Sequence, residues 1–328
     1  MTAPGLRWRA GTELVAVLTL VLALVTVGSN RPAEARATRS SQAAAPESRG
    51  TVVTGSMRWD GVSRTYRVFV PTSYTAGTPT PLVVGLHGGF GSGRQFERDN
   101  GLKPALAERA MLGVFPDGVA GPLTGIRTWN AGNCCAYSMN TDVDDVGFID
   151  ALVKRLRRQY TVDPARIYAI GHSNGGMLSF RLGCDLPGVF AAIAPVAGAV
   201  DDTRRCQPGH RLNVLVIHGY RDRNVPYAGG IGAGYSQVDY ASVADAMTRW
   251  RRINRCGPDS IVTRDGDLRT TDAPGCAAGG DLRLRTLLDG NHEWPGGADR
   301  AFIAGSPSDA LDATADALDF FLAHPATP

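Results

Sequence analysis

The sequence predicts an α/β domain, a mostly parallel twisted sheet with helices on both faces. Three observations carry that expectation. Short aliphatic runs recur along the chain, stretches with apolar residues at helical spacing lie between them, and no Pro- or Ser-rich linker divides the sequence after Gly50. Buried strands alternating with amphipathic helices are what crossover-connected parallel strands look like in sequence. With 328 residues the chain is long enough for one large domain of this kind, and a single catalytic domain is expected over 51–328.

The elements follow in order. Ser56–Trp59 and Val62–Val70 flank Asp60-Gly61, and Asp-Gly between alternating apolar residues favours a tight hairpin, which Pro71 ends. Leu82–Leu86 is a buried strand that empties into His87-Gly-Gly-Phe-Gly-Ser-Gly93. Helix-compatible sequence around Pro104–Arg109 precedes a strand at Met111–Phe115. Pro116–Thr141 is Gly-rich and irregular, and it holds Trp129 and the adjacent Cys134 and Cys135. Phe148, Ile149, Leu152, Val153 and Leu156 predict a helix across Val146–Tyr160. Asp142, Asp144 and Asp145 stand at its start, where carboxylates complement the helix dipole, a reading preferred to a calcium site. A strand through Ile167–Ile170 and a helix over Met177–Leu182 bracket Gly171-His-Ser-Asn-Gly175. Strands at Phe190–Val196, Leu212–His218 and Leu282–Leu288, with helices at Val238–Asn254 and Ser308–Leu322, complete the order.

The first 37 residues stand apart from the fold. Arg7 and Arg9 precede an apolar run from Leu14 to Val27, and Ala33, Ala35 and Ala37 follow it. A positive start, a short apolar centre and an Ala-x-Ala exit make a secretory signal peptide; the run is shorter than the roughly 20 residues of a spanning helix. No stable membrane anchor is therefore expected. Cleavage after Ala37 removes four arginines and two glutamates and takes the formal charge from +3 to +1. Residues 38–50, rich in Ser, Ala and Pro, read as a flexible lead-in. No cysteine precedes Cys134, which excludes a lipid on an N-terminal cysteine. So small a net charge gives no reason to expect a nucleic-acid partner.

Export gives the six cysteines a meaning, since an even number outside the cell points to disulfides. Loop logic favours Cys256–Cys276 and Cys184–Cys206, each closing a short excursion worth roughly 3 kcal/mol in the chain-entropy account. Cys134 and Cys135 are left either as an adjacent pair or each bonded elsewhere. No paired Cys-x-x-Cys knuckle suggests zinc.

The chemistry centres on Ser173 within Gly-x-Ser-x-Gly, between a buried strand and a helix, where a nucleophilic serine sits on a sharp turn that only glycine neighbours allow. A serine hydroxyl needs a base, and the base a carboxylate. His210, His218, His292 and His324 follow Ser173. Of these, His292 lies in the Gly-flanked loop after the last expected strand and is assigned as the base. Asp222, on the loop after the Leu212–Ile217 strand, is assigned as the acid ahead of Asp201 and Asp202. Glu293 adjoins the base and is expected to point elsewhere. The backbone N–H groups of Asn174 and Gly89 are the expected oxyanion donors, with Phe90 as an alternative to Gly89. His87 is expected to brace its loop and His172 to pack beneath the turn. No metal or organic cofactor is needed for this chemistry.

These pieces together resemble the secreted esterases that include polyhydroxybutyrate depolymerases and feruloyl or acetylxylan esterases. The resemblance rests on Leu86-His-Gly-Gly89, Trp129-Asn130 with Cys134-Cys135, Asp144-Asp-Val-Gly-Phe148, Gly171–Met177, Ala191–Gly198, His218-Gly-x-x-Asp222 with Val225-Pro-Tyr227, and His292-x-Trp294-Pro-Gly296. It implies the α/β-hydrolase fold, a triad of Ser173, Asp222 and His292, and an acyl pocket bordered by Trp129 and Trp294. Asn291 stands where the family usually has glycine, so a slightly different loop geometry is expected. The chain shows no added polymer-binding domain, which favours soluble hydroxyalkanoate oligomers or plant cell-wall and aromatic esters over crystalline polymer. The expected function is that of a secreted, extracellular serine esterase working through an acyl-enzyme. An acyltransferase on the same scaffold, a peptidase and a noncatalytic glycan-binding relative are the rivals.

Overall fold

The computed structural model describes residues 49–234, 236–298 and 306–326. The expected signal peptide and nearly all of the lead-in lie outside the described residues. The chain opens with a hairpin, β1 (Gly50–Trp59) and β2 (Val62–Pro71), followed by β3 (Thr80–Leu86), α1 (Gly93–Asp99), α2 (Leu102–Glu108) and β4 (Leu112–Pro116). Two short strands, β5 (Val119–Ala120) and β6 (Arg127–Thr128), lead to α3 (Ala136–Asn140), α4 (Asp145–Gln159), β7 (Val162–His172) and α5 (Asn174–Asp185). Next come β8 (Ala192–Val196), β9 (Asn213–Gly219), β10 (Gly230–Ile231), β11 (Asp239–Tyr240) and α6 (Val243–Asn254). The hairpin β12 (Ile261–Asp265) and β13 (Leu268–Asp272), then β14 (Leu282–Leu287) and α7 (Ala313–Ala323), close the order.

Ten strands form one sheet in the order β1-β2-β4-β3-β7-β8-β9-β14-β13-β12. From β4 through β14 the neighbours run parallel, and the two strands at each edge pair antiparallel. This is the architecture of the α/β-hydrolase fold. Strands buried on both faces must be apolar throughout, and β3, β4, β8 and β9 are buried along their whole length. The two-residue period of a strand then divides its side chains between two cores. Ile167 and Ala169 of β7 join α4, α5 and α6 on one face, whereas Tyr168 and Ile170 join α1, α2 and α7 on the other. Tyr168 stacks flat on Phe321 of α7, with ring centroids 4.7 Å apart.

Several expectations are corrected. Gly50 belongs to β1, not to the lead-in, because it pairs with Pro71 at the end of the hairpin ladder. The helix expected from Val238 starts at Val243, since Asp239 and Tyr240 pair with Ile231 and Gly230 and Ser242 caps the helix with a reciprocal Asp245 bond. The last helix starts at Ala313 rather than Ser308, where Asp312 accepts from the Ala315 N–H. Asp145 stands in the first turn of α4, as expected, and has a further role. It is fully buried, 2.6 Å from Arg64, and its other oxygen accepts from the Asn130 N–H at 2.7 Å. Asp144 caps α4 and accepts from the Trp59 indole, and Asp142 accepts from Asn130, so protein donors occupy all three carboxylates.

Disulfides join Cys184 to Cys206 and Cys256 to Cys276, as loop logic expects, and Cys134 is bonded to Cys135. Among the described residues no helix is long and apolar enough to cross a membrane.

His324, at the end of α7, donates from Nδ1 to the Phe320 carbonyl at 2.6 Å and from Nε2 to Asp281 at 2.8 Å. Both bonds together require the imidazolium. Partial burial opposes that charge, but Asp281 and the carbonyl outweigh it and raise the His324 pKa, while the same bond lowers that of Asp281. A raised folded-state pKa gives stability that is complete below the unfolded value of about 6.5 and is lost as pH rises through the folded value. Thermal melts of His324→Ala and the parent should therefore differ most near pH 5 to 6 and converge toward about pH 9. Equal differences at both ends would show that the ion pair contributes nothing.

Candidate active site

The parallel strands β7, β9 and β14 all end on the same edge of the sheet, and the loop after each carries one polar group of the site. Ser173 follows β7 with φ 54° and ψ −122°, a conformation that costs a residue with a side chain about 1–3 kcal/mol. Its surroundings enforce it. The Ser173 N–H donates to the Val196 carbonyl at 2.8 Å, and the Met177 N–H donates back to the Ser173 carbonyl at 2.9 Å. A methyl group on Gly171 would strike the Gly175 backbone, and one on Gly175 would strike the carbonyls of Leu86 and His87. Both glycines of the pentapeptide are thus required by close approach of backbone to backbone.

The loop after β14 brings the His292 Nε2 to 2.8 Å from the Ser173 hydroxyl, and the His292 Nδ1–H donates to Asp222 at 2.7 Å. Asp222 is buried on the loop after β9. Its second oxygen accepts from the N–H groups of Asn224 and Val225, each at 2.9 Å. Burial alone would raise this carboxyl, but attraction to His292 and the bonds from His218 and His292 hold it well below the usual carboxylate range. His218 donates from Nε2 to the Val225 carbonyl at 2.9 Å and lies 3.4 Å from Asp222, so it supports the acid's loop. Asn291 adopts an ordinary backbone without positive φ, and a side chain there in place of glycine brings no strain.

On the other side of Ser173 runs the loop after β3. Gly88 passes beneath the serine, and a Cβ built there would lie 3.3 Å from the Ser173 Cβ. His87 accepts the Gly118 N–H at Nε2 and donates from Nδ1 to the Gly88 carbonyl. Burial drives its pKa down to about 4, so it braces the loop as a neutral ring. The Phe90 N–H is already given to the Arg127 carbonyl at 3.0 Å, which removes it as an oxyanion donor. Among the described residues the Gly89 N–H has no protein acceptor, and the Asn174 N–H, at the first position of α5, has none within the helix. Both residues border a cleft of about 470 Å³ that also takes in Ser173 and His292. Two unoccupied amides beside a serine can hold a developing oxyanion.

Trp129 and Trp294 do not border that cleft, contrary to expectation. Trp129 is wholly buried, and its indole N–H donates to the His87 carbonyl at 2.8 Å. Trp294 packs edge-on against Phe96 and donates to Thr314 at 3.1 Å. A buried indole needs an acceptor for its N–H, and meeting that need fixes both rings behind the site. Phe90, Phe96, Ile126, Met177 and Val225 supply the apolar wall instead.

Asn174, Glu293 and His172 make further contacts that the sequence did not reveal. The Asn174 side chain accepts from the Trp129 N–H at 2.7 Å and donates to the Trp129 carbonyl at 3.0 Å, fastening the Cys134–Cys135 loop to the start of α5. Glu293 is buried and folds back onto its own loop. It accepts the Asn291 N–H with both oxygens and the Ser308 N–H at 3.2 Å. Burial raises its pKa despite those bonds. His172 is packed against His292 and Trp294, with its Nε2 buried and unpaired, and burial lowers its pKa to about 3.

A profile described as the prolyl oligopeptidase family matches residues 138–207, the span that contains the Ser173 turn. "Putative esterase NocK" of Nocardia uniformis subsp. tsuyamanensis is 30% identical over 287 residues, 80% of this chain and 80% of that protein. The chain belongs to the α/β-hydrolase esterase family. "Feruloyl esterase B" of Piromyces equi is also 30% identical, over 228 residues that make up 68% of this chain and 41% of that protein. The esterase thus spans well under half the length of that relative. Among solved structures, acetyl xylan esterase from Aspergillus awamori superposes with a TM-score of 0.54 over 74% of this chain and 94% of its own, at 14% identity, a likeness of fold. The protein is an enzyme of the carboxylic ester hydrolase class.

If Glu293 holds the His292 loop, its removal misplaces the imidazole without touching the cleft. Glu293→Ala should lower kcat on p-nitrophenyl acetate roughly ten- to a hundredfold with little change in KM. It should also destabilise the fold by about 1–3 kcal/mol through orphaned N–H groups, read by urea denaturation. An unchanged kcat would show that the loop holds itself.

Proposed function

We propose that the protein is an exported serine esterase that works through an acyl-enzyme on Ser173. The observation that carries the reading is the hydrogen-bonded relay from Ser173 through His292 to Asp222, at 2.8 and 2.7 Å, opening onto the cleft. The Ser173 oxygen attacks the ester carbonyl carbon while its proton passes to the His292 Nε2. The anionic Asp222 holds the imidazole in the tautomer whose Nε2 is free, and stabilises the imidazolium that forms. The Gly89 and Asn174 N–H groups receive the charge on the carbonyl oxygen. Collapse of the tetrahedral intermediate expels the alcohol, which takes the proton from His292. Water, deprotonated by the same imidazole, then releases the acid and restores Ser173.

The substrate we propose is the ester of an aromatic acid on a plant cell-wall polymer, with short hydroxyalkanoate oligomers as the second choice. The cleft volume falls within the range of small-molecule sites, about 300–1,000 Å³, and its wall carries Phe90, Phe96, Ile126 and Met177. Relatives named feruloyl esterase support the aromatic acyl group. Three disulfides fit an oxidising compartment, which supports cleavage of a signal peptide over 1–37 and an extracellular catalytic domain over 51–328.

Ser173→Ala should lower kcat on p-nitrophenyl acetate by roughly 10⁴- to 10⁶-fold and abolish labelling by a fluorophosphonate probe. Parent-like turnover by that variant would end the mechanism. On methyl ferulate, acetylated xylan and hydroxybutyrate oligomers, the highest kcat/KM is expected for methyl ferulate. A clear preference for the oligomers would transfer the assignment to polyester cleavage.

A further inference from the structure

The amino ends of β8, β9 and β14 lie at the edge of the sheet opposite Ser173, and a second concavity of about 1,150 Å³ opens there. Arg204, Arg205, Arg211, Arg249, Arg252 and Arg255 line it, and no described carboxylate does. Some of these arginines have structural work. Arg204 lies 3.5 Å from Asp185, and Arg249 donates to the Asp201 carbonyl at 2.6 Å. Arg211 reaches the Ala278 carbonyl, but its Nε is buried without an acceptor. Arg205, Arg252 and Arg255 are exposed and have no protein partner among the described residues. Arg252 stands in the last turn of α6, where a cation complements the helix dipole, whereas Arg251 serves the loop beyond through Gly257, Asp259 and Ser260.

The surrounding wall is built to stay in place. The Cys184–Cys206 disulfide ties the Arg204-Arg205 loop to the end of α5. His210 accepts the Gly188 N–H at Nε2 and donates from Nδ1 to the Pro208 carbonyl, so it braces the rim. Unpaired like charges around a fixed hollow repel one another and lower stability unless an anion spans them.

We propose that this concavity binds an acidic oligosaccharide through its uronate carboxylates, holding the polymer whose ester the cleft hydrolyses. The polysaccharide assignment rests on the esterase reading above. The arginines come from two separate stretches, 204–211 and 249–255, around a hollow of about 1,150 Å³. That layout suits a ligand bearing several anionic groups in series more than a single phosphate. Guanidinium forks match carboxylates in bidentate geometry. Among the described residues Phe190 is the one Phe, Tyr or Trp in the wall and is buried, and the His210 ring is tied to the backbone at both nitrogens, so stacked bases of a nucleic acid find no ready platform.

Fluorescence anisotropy of the full chain with a fluorescein-labelled oligogalacturonate tests the site. The parent should bind it, more weakly as salt rises, and should not bind a neutral xylo-oligosaccharide of equal length. Arg252→Glu combined with Arg255→Glu should weaken binding roughly tenfold or more while leaving p-nitrophenyl acetate hydrolysis unchanged. Arg205→Ala, a milder change on a separate loop, should weaken it by a smaller factor. Absence of binding by the parent, or undiminished binding by both variants, overturns the site. Equal or tighter binding of inorganic polyphosphate or single-stranded DNA of matched charge overturns the uronate assignment. Loss of ester hydrolysis in the parent itself would defeat the esterase reading and leave the anisotropy result standing.

Discussion

The left-handed backbone at Ser173 is the constraint on which the site depends. A serine at φ 54° is held there only because its neighbours leave no alternative. The amide is tied to β8, the carbonyl to α5, and the flanking glycines let β7, the loop after β3 and α5 meet without side chains between them. The same turn starts α5, so one conformational choice sets both the hydroxyl's direction and the Asn174 amide beside it. From that point outward the supports become polar. The Asn174 side chain grips Trp129, the next residue donates to Asp145, and Asp145 meets Arg64 of β2. A buried ion pair left without one partner costs about 3–5 kcal/mol, so this line of contacts joins the elbow to the edge of the sheet with little freedom to slip.

Much of this was legible from residue types alone. Strands buried on both faces are aliphatic runs, and the helices show their apolar stripe, so the central order could be read directly. That Ser173, Asp222 and His292 come together was legible for a related reason: each follows one of the parallel strands, at the same edge of the sheet. The losses have physical causes as well. The β12–β13 hairpin turns at Gly266-Asp267, the reverse of the dipeptide that marked the first hairpin, and β12 is exposed along its length and carries no apolar alternation to draw notice. The short α1 begins in glycine-rich sequence, and its cap at Ser92 is a single hydrogen bond.

Trp129 and Trp294 were misjudged because sequence gives side-chain chemistry without direction. Large aromatics near a catalytic motif suggest contact with a ligand, yet an indole can serve as well by filling volume and finishing a hydrogen bond behind the site. Glu293 shows the converse. In a strand its side chain would point away from that of His292, but in a loop it curls back to collect the amides of its own segment. The polar groups that position a reacting residue are set by backbone path, which no local pattern encodes.

Three imidazoles gather near the serine, and two are locked out of proton exchange under ordinary conditions. His87 is held neutral down to about pH 4 and His172 to about pH 3, and Asp222 stays ionised throughout that range. Neither ring therefore changes charge in mildly acidic or neutral solution, and the potential that both contribute to the cleft they line stays constant there. Acidification that stops short of about pH 4 thus leaves the loop braced by His87 in place, and with it the amide that faces the developing oxyanion.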